Sequence, residues 1–590
     1  MKQGWLLPAV AISACLSGRA TLPLQPAEQV EAPPEPAAEV EEPSPAEADL
    51  AELPPPLPPP DLAAPPAPPP AGAGVADPLD LLWGHRLELS AQGEPLITIG
   101  LMGGQREIAF RPRGPGRIAL RGGSVVEVPA GVRLVVRVHD VRPARFAWSA
   151  VIAEKGSAGQ NARARKGAIE ALGVAARLRV TGAVYGIGGR VVDTRREQLA
   201  VEGDGSEAAA RAAVEALRAR GLVASLDQEV VERPAGTLEL LGPGGAPLGV
   251  ADTALTLEVE ADSGFLVEGV ENGLGAARAR EDRSYKGRLL VTLDAGGGLT
   301  AVHGVPLEEL LRGIVPSEMP ASAPLEALKA QAVTARSNVM AQVGLRHLAD
   351  PFMLCAEVHC QAYRGDGART ARTDEAVLAT RGEALFGSDD RRLVDGVYSA
   401  MCGGYGEDND TVWGEAPSPR LRGRPDLPPE EARRWAGGLA REPTLRAFLA
   451  AARGAYCRLP PARRDRFRWE RRLDSSRLQE LGEALGVGRI EALRVTSRGV
   501  SGRARTLRVE GERGTVELSP ELRIRRALGD LPSAMFVIDR EGSSLVLRGG
   551  GWGHGVGLCQ WGAVGRAMTG QGYQEILRAY FAGAEVAKVY

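Results

Sequence analysis

The sequence predicts a multidomain α+β protein, with a β-rich region and mixed α/β domains behind a disordered, proline-rich linker. Three observations predict it. From Leu81 onward, short alternating apolar runs are punctuated by Gly and Pro, the pattern of strands and turns. Elsewhere apolar residues recur at helical spacing behind clear start signals, such as Ser206 before Ala210, Val214 and Leu217. Between Pro23 and Asp80 there are 19 prolines, 12 acidic residues and no Lys or Arg; such a segment cannot bury a core and favours extended polyproline II. The formal charge of -3 over 590 residues is therefore an average. With Lys2 and Arg19 ahead of the acidic segment, the chain from Leu81 carries +7. Only six of the 71 basic residues are Lys, and no basic block is interleaved with aromatics, so a nucleic-acid partner is not expected. No stretch after the N-terminus is apolar for 18 residues, which argues against a polytopic membrane protein.

Each element follows in order. Residues 1–15 read as a signal peptide: Lys2, an apolar run from Trp5 to Ala14, then Ile12-Ser13-Ala14-Cys15, which is similar to a bacterial lipobox with Cys15 as the lipidation site. An ordinary signal peptide is the alternative. By resemblance to bacterial lipoproteins, Leu16 after the cysteine implies sorting to an outer membrane where one exists. Residues 16–80 form the linker, a tether able to reach on the order of 150 Å at about 3.1 Å per residue. The expected localisation is exported and membrane-anchored, facing the cell wall. Residues 81–145 are β-rich. Residues 146–235 alternate strand and helix in a βαββαβ-like order that resembles the SPOR domain, a module that binds peptide-free glycan; a generic α+β spacer is the other reading. Residues 236–590 begin with further strands and lead into the chemistry.

A short helix over Leu307–Leu311 is expected to give way to a rigid loop, Gly313-Ile-Val-Pro-Ser-Glu-Met-Pro320, before a helix over Leu325–Met340 with Leu325, Leu328, Ala332 and Ala335 on one face. Glu318 sits in that loop between apolar neighbours. Burial disfavours an ionised carboxyl, and a general acid needs such a raised pKa; a surface or helix-capping Glu is the plain alternative. The run 313–320, continued by Glu326-Ala-Leu-Lys-Ala-Gln-Ala-Val-Thr-Ala-Arg-Ser337, resembles the stage II sporulation protein D / amidase-enhancer (SpoIID/LytB) family. Three later blocks agree in order: Cys360-Gln-Ala-Tyr-Arg-Gly365, Tyr398-Ser-Ala-Met-Cys-Gly-Gly404 with Val412-Trp-Gly414, and Gly550-Gly-Trp-Gly-His-Gly-Val-Gly-Leu-Cys-Gln-Trp-Gly-Ala563. The resemblance covers roughly 285–590, the expected catalytic core. It implies a lytic transglycosylase that cleaves peptide-free glycan of peptidoglycan with Glu318 as the one catalytic carboxyl. The family's other branch implies a different role, in which the chain binds the wall and activates a partner amidase. Trp552, His554, Gln560 and, more weakly, Tyr398 are candidate groove residues. No cofactor is required for that reaction.

Five cysteines remain beyond Cys15. Cys355, His359 and Cys360 lie within six residues, and by resemblance to sporulation relatives they suggest zinc, with His347 as a further ligand. On a strand, neighbouring His359 and Cys360 would point apart, so a metal would need a loop there. Disulfides, Cys355–Cys360 or Cys402–Cys457, are the alternative in an exported protein; the spacing leaves both open.

Overall fold

The computed structural model describes residues 78–590, apart from 85–86, 153–165, 168, 172, 221, 223, 261–262, 273–278, 358, 415–416 and 460–463. Cys15, the signal sequence and nearly all of the linker lie outside the described residues. Helices and antiparallel sheets share the rest, a multidomain α+β protein. No helix among the described residues is long and apolar enough to cross a membrane.

The expected boundary at 235/236 falls inside a sheet. Leu134–Arg142 and Ala235–Leu241 are hydrogen-bonded neighbours, with Val136 opposite Leu240. They belong to one sheet with Glu107–Pro112 and Phe265–Asn272, and a second sheet joins Pro95–Gln105 to Leu299–Pro306, Arg288–Leu293 and Ala254–Val259. Both sheets bury one face in a common core that includes Ile97, Ile99, Phe110, Leu134, Leu240, Leu257, Phe265 and Val291. The two β-rich stretches thus complete each other. Period-two alternation says which face a strand buries but not which strand it pairs with, and for that reason the sequence suggests two modules.

Residues 145–232 are an insertion between those neighbours. Arg145–Ile152, Arg177–Thr181, Arg196–Glu202 and Ala224–Glu232 form an antiparallel sheet whose spatial order is fourth, first, third, second. Helix α1 (Glu207–Ala219) starts where Ser206 caps Ala209 N–H and buries Ala210, Val214 and Leu217 in a core of its own. A hairpin, Val184–Ile187 with Arg190–Asp193, leaves this sheet and docks on the C-terminal half: Tyr185 Oη donates to Met340 O (2.6 Å) and Thr194 Oγ1 to Val343 O (3.1 Å).

Helix α2 runs over Leu307–Glu318, not Leu307–Leu311, and Glu318 is its last residue rather than part of a loop. Pro316 suggests a break, but its fixed φ suits a helix, and the turn closes with Met319 N–H on Val315 O (2.9 Å) and Ser317 Oγ on Gly313 O (2.7 Å). Helix α3 (Leu325–Gln342) is buried nearly all round instead of on one face. Its polar side chains are consequently satisfied inside: Arg336, fully buried, makes two 2.8 Å bonds to the Glu308 carboxylate. Residues from Trp469 to Leu547 carry a further core of their own.

Candidate active site

Two chain crossings build the site. The first pairs Met401 with Trp552 in an antiparallel bridge, where the 401–404 segment meets the glycine-rich loop. A Cβ on Gly403 (φ 79°) would lie 2.9 Å from the Gly550 carbonyl carbon, and one on Gly551 (φ 84°) 2.8 Å from Met401 O. Only glycine permits that approach. The second crossing runs parallel, with Tyr398 beside Leu558 and Ser399 beside Cys559. It delivers Tyr398 and Gln560, the first residue of helix α4 (Gln560–Met568), to Glu318.

The Glu318 carboxyl is enclosed although the residue keeps some exposed surface. Ala362 N–H donates to Oε1 (2.9 Å), Gln560 Nε2 to Oε2 (3.3 Å), and the Tyr398 hydroxyl is within hydrogen-bonding reach. Burial outweighs these donors and the nearby Arg364 and raises the carboxyl above its ordinary range. Its place at a helix C-terminus, the negative end of the helix dipole, acts in the same direction. The group is therefore suited to hold a proton near neutral pH and to give it up, as general acid catalysis requires.

Behind it lies a hydrogen-bonded chain that the sequence does not announce. Tyr398 Oη donates to Gln361 Oε1 (3.1 Å), Gln361 Nε2 to Asn338 Oδ1 (3.0 Å), and Asn338 Nδ2 to Asp395 Oδ1 (2.7 Å). Gln342 Nε2 donates to Asp395 Oδ2 (3.0 Å), and Arg346 bonds Gln342 and the carbonyl of His359. Burial raises the Asp395 carboxyl too. Polar positions at 331, 334, 338 and 342 along α3, too polar for a core helix, were the available signal.

His554 is a positioning residue. Its Nδ1 accepts Val556 N–H (3.1 Å), so Nε2 carries the proton and donates to Tyr398 O (2.8 Å). Burial pushes it down to about 4, which keeps it neutral at physiological pH. Helix α4 is capped by Cys559, whose Sγ accepts Gly562 N–H (3.2 Å). Trp552 is 38% exposed with the Arg466 guanidinium over its ring, and Trp413, equally exposed, stands 5.1 Å from the His554 ring. Trp413 belongs to the Val412-Trp-Gly414 block, and its exposure is what marks it as a ring that a sugar could stack on.

The thiols and imidazoles converge as well. His347 Nε2 is 3.3 Å from Cys360 Sγ, and His359 Nδ1 is 3.7 Å from Cys355 Sγ and 3.6 Å from Cys360 Sγ. All four donor atoms lie within 4.8 Å of one another. The expected obstacle does not arise: Cys355 ends a two-residue strand, and His359 and Cys360 lie in the turn after it, where the His359 Nδ1 faces both sulfurs. Asp350 Oδ2 holds His347 Nδ1 (2.8 Å), the outer-shell carboxylate that orients a metal-binding imidazole. Two sulfurs and two nitrogens so placed fit a tetrahedral zinc ion. All five described cysteines are free thiols, so neither expected disulfide is formed.

Comparison with known proteins follows this geometry. The family model described as Stage II sporulation protein (SpoIID) matches residues 295–386, which include Glu318 and the His347 cluster. A second, described only as a domain of unknown function, matches 407–557. The chain is 27% identical to an uncharacterised protein of Brachyspira hyodysenteriae over 55% of this chain and 75% of that one. It is 25% identical to the stage II sporulation protein D of Bacillus subtilis over 49% of this chain and 76% of that one. It is also 26% identical to the amidase enhancer of Bacillus subtilis over 46% of this chain, spanning only 39% of that protein.

Proposed function

We propose that this chain, whose C-terminal half carries a SpoIID-type domain, is an exported cell-wall protein that cleaves peptidoglycan glycan strands by lytic transglycosylation. The observation that carries the reading is Glu318: a single enclosed carboxyl, raised by burial, facing hydrogen-bond partners on three other segments. One carboxyl suffices if the nucleophile belongs to the substrate. Protonated Glu318 gives its proton to the glycosidic oxygen as the bond to muramic C1 breaks. The C6 hydroxyl of the same sugar attacks C1, and the Glu318 carboxylate takes the hydroxyl proton. The product is a 1,6-anhydro sugar and the acid is restored. Hydrolytic glycosidases, by contrast, ordinarily use two carboxyls.

Trp552 and Trp413 offer stacking surfaces for the strand, while His554 holds Tyr398 against the carboxyl. His347, Cys355, His359 and Cys360 would bind a structural zinc that fixes the 347–360 segment beside Gln361 and Ala362. Cys15 would anchor the chain to a membrane, with residues 16–80 as the tether and 146–235 as a SPOR-like contact to bare glycan. Similarity to an amidase enhancer favours one second reading, in which the chain binds wall and stimulates a partner amidase. Incubating the full chain with peptide-free glycan separates the two. Anhydro-muramyl products by mass spectrometry are expected; stimulation of an added amidase without any such product would sink the enzymatic reading.

A further inference from the structure

A second cluster lies in the interior, built by residues the reaction does not use. Cys402 follows the Met401–Trp552 bridge, Cys457 lies beyond the helix Glu442–Ala451, and Cys559 caps α4. All are at most 2% exposed, and Asp426 among them is 3% exposed. Cys402 Sγ is 3.7 Å from Cys457 Sγ and 3.3 Å from Asp426 Oδ2, and the four donor atoms all lie within 4.8 Å of one another. A disulfide would need its sulfurs at about 2.05 Å. Sulfurs bound at about 2.3 Å to one tetrahedral ion stand about 3.8 Å apart. The observed spacing matches the second arrangement.

The backbone around the sulfurs offers donors. Three backbone N–H groups point at sulfur: Cys402 N to Cys559 Sγ (3.2 Å), Gly404 N to Cys402 Sγ (3.4 Å) and Gly562 N to Cys559 Sγ (3.2 Å). Arg468 is bonded to the carbonyls of Leu449, Gly403 and Phe467, and its buried Nη2 has no partner. Fully buried Arg503 donates to Cys402 O (3.1 Å), and its Nε is also unpartnered. Asp426 is held by Arg566 and the Tyr580 hydroxyl. Arg503 is joined to the Glu407 carboxylate through Ser501, whereas the bonds of buried Arg468 all go to carbonyls and neutral thiols supply it no anion. A divalent cation held among the three sulfurs and the carboxylate would deprotonate the thiols and supply that anionic charge.

We propose that Cys402, Cys457, Cys559 and Asp426 form an interior site for a thiophilic divalent cation of the zinc class, distinct from the His347 cluster. Bound there, the ion ties together the 401–404 crossing, the 455–458 loop and the start of α4. It thereby fixes Gln560, the residue after Cys559, against Glu318. The site does not depend on the reaction proposed above.

The test uses the full chain carrying Cys355→Ser and Cys360→Ser, purified without chelator. Elemental analysis is expected to find one equivalent of zinc. Cobalt in its place is expected to give a sulfur-to-metal charge-transfer band whose intensity fits three thiolates. Adding Cys559→Ser is expected to remove or sharply weaken that binding. The wild-type chain gives an independent reading by X-ray absorption at the zinc edge, with more than two sulfurs per metal on average. A metal-free double variant with a folded circular dichroism spectrum overturns the proposal. So does a wild-type chain with no more than two sulfurs per metal, or a Cys402–Cys457 disulfide found under non-reducing conditions.

Discussion

Glu318 holds the one proton that the proposed cleavage moves. Glu318→Gln keeps the size and loses the proton, so glycan cleavage is expected to fall by at least about 10²–10⁴-fold. Its folded-state carboxyl is raised by burial, so ionisation costs stability as pH rises from the ordinary carboxylate value through the raised one. The Gln variant is therefore expected to unfold at the same temperature as wild type, or higher, at pH 7, with the difference gone in acid. Calorimetry beside the product assay separates a lost proton from a lost fold. His303 has the opposite sign. Fully buried and pushed down to about 4, it contributes stability that is complete above about 6.5 and is lost as pH falls towards 4. That amounts to about 3 kcal/mol at roughly 1.4 kcal/mol per unit, read by urea unfolding at pH 7 and pH 4.5 in wild type and His303→Gln. Glu318 was legible in the sequence because its apolar neighbours and the family motif agree. The polar chain through Gln361, Asn338 and Asp395 was not, because its members come from three distant segments and share no spacing.

At the scale of elements, α2 and α3 are joined by the Glu308–Arg336 pair. Breaking one side leaves a buried charge, so Arg336→Ala is expected to cost about 3–5 kcal/mol, whereas Arg336→Met with Glu308→Leu costs much less; chemical denaturation of both variants decides. Gly403→Ala meets both positive φ and the Gly550 backbone, and its expected result is a chain with the 401–404 crossing displaced and little cleavage. Helical spacing predicts the end of α3 to within two residues but stops α2 seven residues early. There Pro316 gives up one backbone N–H, but its fixed φ and the bonds of Ser317 and Met319 keep the turn helical.

The whole molecule departs most from its sequence outline. Strands before and after the insertion share both sheets of the β core, so a fragment cut at 285 leaves apolar strand faces without partners and is expected to aggregate. A chain starting at Asp77 is expected to be monodisperse by size-exclusion chromatography. Removing 145–232, so that Pro143-Ala144-Arg233-Pro234 becomes the loop between the paired residues Arg142 and Ala235, is expected to leave a folded protein. Composition and turn signals gave the layers; strand pairing, a non-local property, was beyond them.

The chain behind Glu318 has a directional consequence. Tyr398 owns one proton and faces two acceptors, Gln361 Oε1 and the carboxyl. While Glu318 is protonated, the hydroxyl can point to Gln361 and receive the acid's proton as a hydrogen bond. Once that proton has left, the same hydroxyl can turn and solvate the new carboxylate. Rotation about a single C–O bond thus tracks the charge on the acid, with no water entering and no heavy atom moving. Tyr398→Phe is expected to slow cleavage by about 10–100-fold while leaving glycan binding intact, because what it removes is the rotor.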